Sequence, residues 1–483
     1  VSQAHASEIR DKNLKLSHRR NNNGGVRSLQ QNDAGKFQVN IAAEPIMVSG
    51  LSLRQNFSWT LVGNIVYAAC QWGMLVVLAK MGSPVMVGQF ALGLAVTAPI
   101  IMFANLQLRA VQATDARHEY LFDDYLSLRL ATTIAALAAI AGVVIFSGYR
   151  SETALVILAV GVAKAFEAIS DVFYGRLQQH ERMDRIAKSM IIKGPLSLLA
   201  LGFGVYLTDS TLWGAVGLAV AWALVLVSYD VRSGLTLKGR DAGVADVSAD
   251  GGRRVAPRPR WINKTSFALI KLSLPLGFVM LLISLNANIP RYFIEHYLGE
   301  RELGIFAAIA YLMVAGGMVV NALGQSASPR LAKHYAAAEA KPFRHLLGKL
   351  IAISALLGLA GVAIVAVAGE TILTMIYKPE YAQHLDVFLL LMVATGLGFS
   401  ASFLGYAMTA ARYFRVQAPL FAMVTAVSIL TCLWLVPLYG LSGAAVALVI
   451  AAAVQLLGSL AITVFAIYKL SICAKVAMAH DSI

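Results

Sequence analysis

Three ionisable residues fall inside one apolar stretch, and their spacing lets them act together. Lys164, Glu167 and Asp171 are separated by three and four positions, which puts all three on one face of a helix. Lys164 lies near the middle of the stretch Leu155–Tyr174. A charge at the centre of a bilayer costs roughly 2.5 kcal/mol or more on insertion scales, so this face is expected to look into a polar cavity and not at lipid. A lysine there can attract an anionic head group, and Glu167 or Asp171 can take up an ion or a proton. A plainer alternative is a Lys164–Glu167 pair that only neutralises itself, which leaves Asp171 unexplained.

A second group sits on a later apolar stretch. Lys271 and Pro275 lie near its start, and it ends Asn286-x-Asn288-Ile289-Pro290-Arg291. The two amides could hold hydroxyl groups near the outer mouth, and the planar fork of Arg291 could hold a phosphate. Lys271 fits equally a lysine that snorkels to the inner interface, and Arg291 a charge at the outer one. Lys188 and Lys193 lie toward the start of the fifth stretch and are expected to snorkel in the same way. Pro275 removes a helix hydrogen bond, and broken helices often line transport paths.

These residues need elements that can carry charge through an apolar medium. Of the 483 residues, 58% are hydrophobic and 14% charged, with a mean hydropathy of +0.67. Soluble domains are nearer a quarter charged, so the composition excludes a soluble enzyme and a disordered chain. A helix needs about 20 apolar residues to span the hydrocarbon core. Twelve stretches qualify: Phe57–Ala79, Val85–Leu106, Leu126–Phe146, Leu155–Tyr174, Ile186–Leu207, Leu212–Tyr229, Phe267–Ile289, Leu303–Leu323, Leu346–Ala368, Leu385–Met408, Ala418–Leu438 and Leu441–Ile467. The expected fold is an all-α polytopic membrane protein with about 12 transmembrane helices, in two parallel six-helix lobes around a central cavity.

The charges order these spans. With the N-terminus inside, the inner segments hold 29 of the 40 Lys and Arg, and the outer loops hold only Lys80, Arg150, Arg291, Arg301 and Lys378. That asymmetry is the positive-inside pattern, with both termini cytoplasmic. It accounts for the net charge of +14 without nucleic acid. The expected domains are a flexible basic arm over residues 1–56, an N-terminal six-helix lobe over 57–230, a cytoplasmic linker over 231–264, a C-terminal lobe over 265–467 and a cytoplasmic tail over 468–483. The first fifty residues show no apolar h-region ahead of a small-residue cleavage site, so the first span is expected to act as an uncleaved insertion signal.

Six spans on either side of the linker would give two halves of the same orientation. Val87-Gly88-Gln89-Phe90-Ala91 returns as Leu303-Gly304-Ile305-Phe306-Ala307. Ser170-x-x-Phe173-x-Gly175 with Arg182-x-x-Arg185 returns as Ser400-x-x-Phe403-x-Gly405 with Arg412-x-x-Arg415. Parallel repeats place substrate sites between the halves. Other chemistry lacks its residues. No Gly-x4-Gly-Lys-Ser/Thr phosphate loop occurs, the nine histidines form no metal motif, and Cys70, Cys432 and Cys473 give no disulfide framework. No cofactor is expected.

The run Ser170-Asp171-Val172-Phe173-Tyr174-Gly175-Arg176-Leu177-Gln178-Gln179-His180-Glu181-Arg182-Met183-Asp184 resembles the fourth-span exit of bacterial polysaccharide and oligosaccharide flippases. So do Asn288-Ile289-Pro290-Arg291-Tyr292, Ser328-Pro329-Arg330-Leu331-Ala332 and Thr409-Ala410-Ala411-Arg412-Tyr413-Phe414-Arg415. These are Wzx-type members of the exporter superfamily that also holds MurJ-like lipid II flippases and MATE drug exporters. The resemblance runs from about Leu51 to Ile467. It implies a V-shaped, alternately opened cavity in the bacterial plasma membrane. The implied substrate is an oligosaccharide on undecaprenyl pyrophosphate, moved from the inner to the outer leaflet for surface polysaccharide export. It also implies substrate contacts from Lys164, Arg291, Asn286, Asn288 and Lys271. Proton or sodium coupling would fall to Glu167 and Asp171, and a polysaccharide polymerase complex is a candidate partner. Two other readings stay open: a MATE-like antiporter of cationic drugs, and a membrane enzyme or non-catalytic partner of polysaccharide assembly.

Overall fold

The computed structural model describes residues 28–31, 37–40, 53–115, 119–236 and 264–480. Most of the arm and residues 237–263 of the linker lie outside the described residues. Val1–Leu51 forms one unit and Ser52–Ile483 another. In the first, β1 (Ser28–Gln31) pairs antiparallel with β2 (Phe37–Asn40), Ser28 opposite Asn40. The polar composition of the arm gave no reason to expect this hairpin.

Every described element of the second unit is helical. The first six spans are α1 (Leu53–Met81), α2 (Pro84–Ala104) with the short α3 (Leu108–Thr114), α4 (Phe122–Phe146), α5 (Ser151–Gln179), α6 (Met183–Thr208) and α7 (Thr211–Val225). The last continues through a π-helical turn, Leu226–Asp230, into α8 (Val231–Leu235). The sixth span is therefore longer than its apolar stretch, and its end carries Asp230. After them come α9 (Lys264–Leu298), the pair α10 (Glu300–Tyr311) and α11 (Val314–Ala336), α12 (Ala340–Ile376) with the short α13 (Pro379–Ala382), α14 (Leu385–Ala410) and α15 (Phe414–His480).

Ten of these helices are individually long and apolar enough to cross a membrane, and the pair α10 and α11, bent by 46°, makes an eleventh. The 67 residues of α15 are broken at Gly440, where φ is 59° and ψ −134°. A crossing takes about 20 residues, so α15 carries two. The break falls at the Tyr439–Gly440 turn expected from the sequence, and the count reaches twelve.

Local chemistry sets the turns. Ser83 accepts a hydrogen bond from the Met86 amide and Pro84 follows as the first helical residue; a missing N–H is harmless there. Ser210 accepts from the Leu212 amide after Asp209 turns the chain with φ 53°. One expectation about termini is corrected. The seventh span does not end at Ile289: α9 runs through Pro290 to Leu298, so Arg291 lies inside a helix and not in an outer loop. Proline withholds one N–H, and a long spanning helix packed on neighbours tolerates that loss.

Packing divides the spans into two sets. α1 lies on α6, α6 and α5 on α7, and α2 and α4 on α5; in the second set α15 and α12 flank α14, α9 lies on α15, and α11 on α14. The sets meet where α2 packs against α9 and α10. Burial follows from this. Two thirds of the apolar window of α2 is buried, 67%, against 22% for α12. Outward side chains such as Phe146, Val367 and Leu359 are exposed and apolar, as lipid-facing positions should be.

The two copies of the repeated glycine motif form the junction. A Cβ on Gly88 would collide with the Glu300 carbonyl, and one on Gly304 with the Pro84 carbonyl. Hydrogen bonds between the sets gather at this end. Lys80 Nζ donates to Met375 O at 2.8 Å and Lys378 Nζ to Gly82 O at 2.7 Å. Trp72 Nε1 donates to the Tyr377 hydroxyl at 3.3 Å, and the Thr153 hydroxyl donates to the Glu300 carboxylate. Burial pushes the Tyr377 phenol up to about 12, so it stays protonated and donates to Ala308 O at 2.8 Å. Toward the opposite end the contact is apolar, with Leu269 of α9 among Leu106, Phe122 and Tyr125.

Candidate functional site

The first set encloses a cavity of about 240 Å³. It is lined from α1 (Thr60, Asn64, Tyr67), from α2 and α3 (Asn105, Arg109), from α5 (Lys164, Glu167, Asp171) and from α6 (Met190, Lys193). The three-and-four spacing on α5 does place its charged residues on one face, and that face looks inward. Their side chains remain reachable, with 21% of Lys164, 32% of Glu167 and 27% of Asp171 exposed.

Each has a partner. Lys164 Nζ donates to Glu167 Oε2 at 2.8 Å and lies 5.0 Å from the centre of the Trp222 ring. The other Glu167 oxygen accepts from the Tyr67 hydroxyl at 2.6 Å. Asp171 is not left over. Arg109 Nη1 reaches Oδ1 at 3.2 Å and Arg129 Nη2 reaches Oδ2 at 3.4 Å. Arg129 is fully buried and also donates to Asn105 Oδ1. Arg109 is held from a second side by Gln178 Oε1 at 3.0 Å and lies over the Tyr174 ring.

Behind this row is a second, buried network. Lys193 is 2% exposed. Its Nζ donates to Ser170 Oγ at 3.0 Å, Tyr174 Oη at 3.1 Å and Asp230 Oδ2 at 3.3 Å. Asp230 accepts in addition from Ser189 at 2.5 Å. The snorkelling expected of Lys193 is therefore wrong. Snorkelling assumes the nearest polar medium is the interface, whereas the π-helical turn brings a carboxylate to Lys193 inside the bundle. A buried pair with its remaining hydrogen bonds met is the arrangement that offsets desolvation. Lys188 is exposed, its ammonium 5.5 Å from the centre of the Trp59 ring.

Sequence reasoning passed over three participants. Arg109 and Asp230 lie just past the ends of the second and sixth apolar stretches, at Leu106 and Tyr229. Arg129 lies inside the third apolar stretch, with no charged residue at helical spacing within that stretch. A helix that outlasts its apolar run could have been suspected from the paired positions of Arg109 and Asp171, but no spacing rule links residues on different helices.

The remaining candidates lie elsewhere. Asn286 lines a separate cavity of about 350 Å³ in the second set. Asn288 is buried at 4% exposure; its Nδ2 donates to Ser284 O at 2.8 Å and its Oδ1 accepts from Arg291 Nη1 at 2.8 Å. Lys271 is exposed and lines neither cavity. The structure thus unites Lys164, Glu167 and Asp171 and separates them from Lys271, Asn286, Asn288 and Arg291. Among the described residues no group of His, Cys, Asp and Glu could hold a metal ion.

Spans in two packed sets, with a charged cavity inside one of them, define a multi-pass membrane protein of a two-lobed helical class. The chain belongs to the family described as polysaccharide biosynthesis protein, whose model matches residues 53–335. It is 28% identical over 407 residues to the capsular polysaccharide biosynthesis protein CapF of Staphylococcus aureus, covering 83% of this chain and 97% of that one. Its fold is similar to that of the lipid II flippase MurJ in an inward closed conformation, with a TM-score of 0.64 and 11% identity over 86% of this chain and 90% of the other. It is also similar to an inward-facing multidrug resistance MATE family transporter of the MOP superfamily. There the TM-score is 0.59 and the identity 14% over 89% and 97% of the two chains.

Proposed function

We propose that this chain is a flippase for an oligosaccharide carried on undecaprenyl pyrophosphate. It would move the carrier head group from the inner to the outer leaflet of the bacterial plasma membrane by alternating access, for export of a surface polysaccharide. The observation that carries the reading is the reachable row of Lys164, Arg109, Glu167 and Asp171 in a cavity of the first lobe. It is supported by membership of a polysaccharide biosynthesis family and by a fold shared with a lipid flippase.

The proposed step is an exchange of ionic partners. An arriving pyrophosphate competes for Lys164 and Arg109, since an anion with several oxygens is a better partner for two cations than two separate carboxylates. Glu167 is then released from Lys164, and Asp171 from Arg109 while Arg129 stays on it; the freed carboxylate oxygens become sites for a proton or a sodium ion, which couples lipid movement to the ion gradient. Arg291, Asn286, Asn288 and Lys271 would meet parts of the substrate outside this cavity. The orientation rests on the charge asymmetry. It puts both termini in the cytoplasm, the cavity toward the cytoplasm and the lysine clasp at the outer face. A polymerase waiting at the outer face would be the natural partner, and no bond is made or broken by this chain.

A MATE-like exporter of cationic drugs has support from the shared fold. The charges favour the anionic substrate. Arg109, Arg129, Lys164 and Lys193 stand against Glu167, Asp171 and Asp230 around the cavity, which leaves one formal positive charge.

Deleting the gene should abolish surface polymer and accumulate the lipid-linked intermediate with its sugars facing the cytoplasm. The wild-type gene should restore export. Lys164→Ala should not, although the protein reaches the membrane in normal amounts. Normal polymer in the deletion strain would end the flippase reading.

A further inference from the structure

The cavity of the second lobe stands where the repeat predicts a counterpart of the first. It is bounded by α9 (Ile283, Asn286), by the break between α10 and α11 (Ala310, Met313), by α14 (Ala394, Thr395) and by both halves of α15 (Phe421, Gln455). These are spans seven, eight, ten, eleven and twelve, and the first cavity is built from spans one, two, four and five. The offset that sets Ser170 on Ser400 also sets Lys164 on Ala394, Glu167 on Leu397 and Asp171 on Ala401. Ala394 lines the second cavity, as Lys164 lines the first. The chain has kept a cavity in both halves and left its charge in only one.

What remains in the second cavity is neutral and mostly apolar, with three hydrogen-bonding side chains, Asn286, Thr395 and Gln455. None of its lining residues is charged. Asn286 Oδ1 is buried with no hydrogen-bond partner, and its Nδ2 makes only a long contact, 3.5 Å, to Phe421 O. This acceptor is left free for a donor that enters the cavity. The Thr395 hydroxyl spends its proton on Leu391 O at 2.7 Å and keeps its lone pairs. Gln455 brings a second amide, and Phe421 an aromatic ring. Amides, a hydroxyl acceptor and an aromatic ring in an uncharged cavity match a sugar, with its many O–H groups and its apolar C–H face. They do not match a pyrophosphate.

We infer that the second-lobe cavity, through Asn286, Thr395 and Gln455, is a subsite for neutral sugar units, and that the two lobes divide the substrate between sugar and pyrophosphate. This rests on the flippase reading above and adds the determinant of sugar selectivity to it. A site built to hydrogen-bond hydroxyl groups discriminates strongly against ligands that lack them, because its buried polar groups are then unpaired.

The test uses the full chain in lipid nanodiscs and two probes. One is undecaprenyl pyrophosphate without sugar. The other is the lipid-linked oligosaccharide extracted from cells that lack the gene. Asn286→Leu with Gln455→Leu should weaken binding of the oligosaccharide lipid tenfold or more and leave bare carrier binding within twofold. Lys164→Ala should weaken both. Thr395→Val, nearly isosteric, should reproduce part of the loss and serves if the double variant does not fold. Equal effects of the double variant on both lipids, or no effect on either, would overturn the subsite and leave the flippase reading standing. If the wild-type chain binds neither lipid, both fall together.

Discussion

Lys193 and Asp230 show how far a single side chain depends on what faces it. Each is almost fully buried, at 2% and 0% exposed; Lys193 donates three hydrogen bonds and each Asp230 oxygen accepts one. Removing one partner leaves an uncompensated charge, which typically costs about 3–5 kcal/mol, whereas replacing both with apolar residues of similar volume is often neutral or better. Lys193→Met alone and Asp230→Leu alone should therefore lower the thermal midpoint of the purified protein sharply. The pair together should recover most of it. An undiminished midpoint in either single variant would show that the network does not carry that load. The same logic applies to Asp171, held by Arg109 and Arg129. Its place on the α5 face was legible from the spacing to Lys164 and Glu167, but its two arginines were not, because they come from helices whose rotation about their own axes no local pattern encodes.

At the scale of elements, the repeated glycine motif has a definite task. Gly88 opens α2 and Gly304 lies in α10, and each meets a backbone carbonyl of the other lobe so closely that a Cβ would overlap it. Small residues allow spanning helices to approach this far. Leucine at either position should pry the lobes apart at the clasp end. In a background with Cys70, Cys432 and Cys473 replaced by serine, a cysteine at Tyr292, whose hydroxyl now donates to Ala95 O, should label faster with a water-soluble maleimide after Gly88→Leu. Unchanged labelling would mean that the junction yields elsewhere. The motif was visible in the sequence as a repeat, yet not as a contact between its own two copies. The helix ends divide the same way. Ser83-Pro84 and Gly440 mark turns that could be read directly, whereas α9 passes Pro290 because its neighbours hold it.

For the whole molecule, the proposed direction of transport follows from the proposed orientation. The first cavity is lined by Thr60, Asn105 and Arg109, and Lys80 and Lys378 tie the two sets of spans together at a separate junction. A reporter fused after Arg240 should read cytoplasmic; a periplasmic signal would invert the proposed direction of transport.

The sequence by itself determined the all-helical, multi-pass class and the row Lys164, Glu167, Asp171 on one face of a helix. Hydrophobic length and helical period are local properties, and a membrane enforces them strictly. Only the tertiary structure decided which charges face each other. It brought Arg109, Arg129 and Asp230 from three other helices to the functional face of α5 and the network behind it, and gave Asn286 a cavity of its own. Such pairings depend on how helices rotate and cross, and that is fixed by packing over the whole bundle and not by any one stretch of chain.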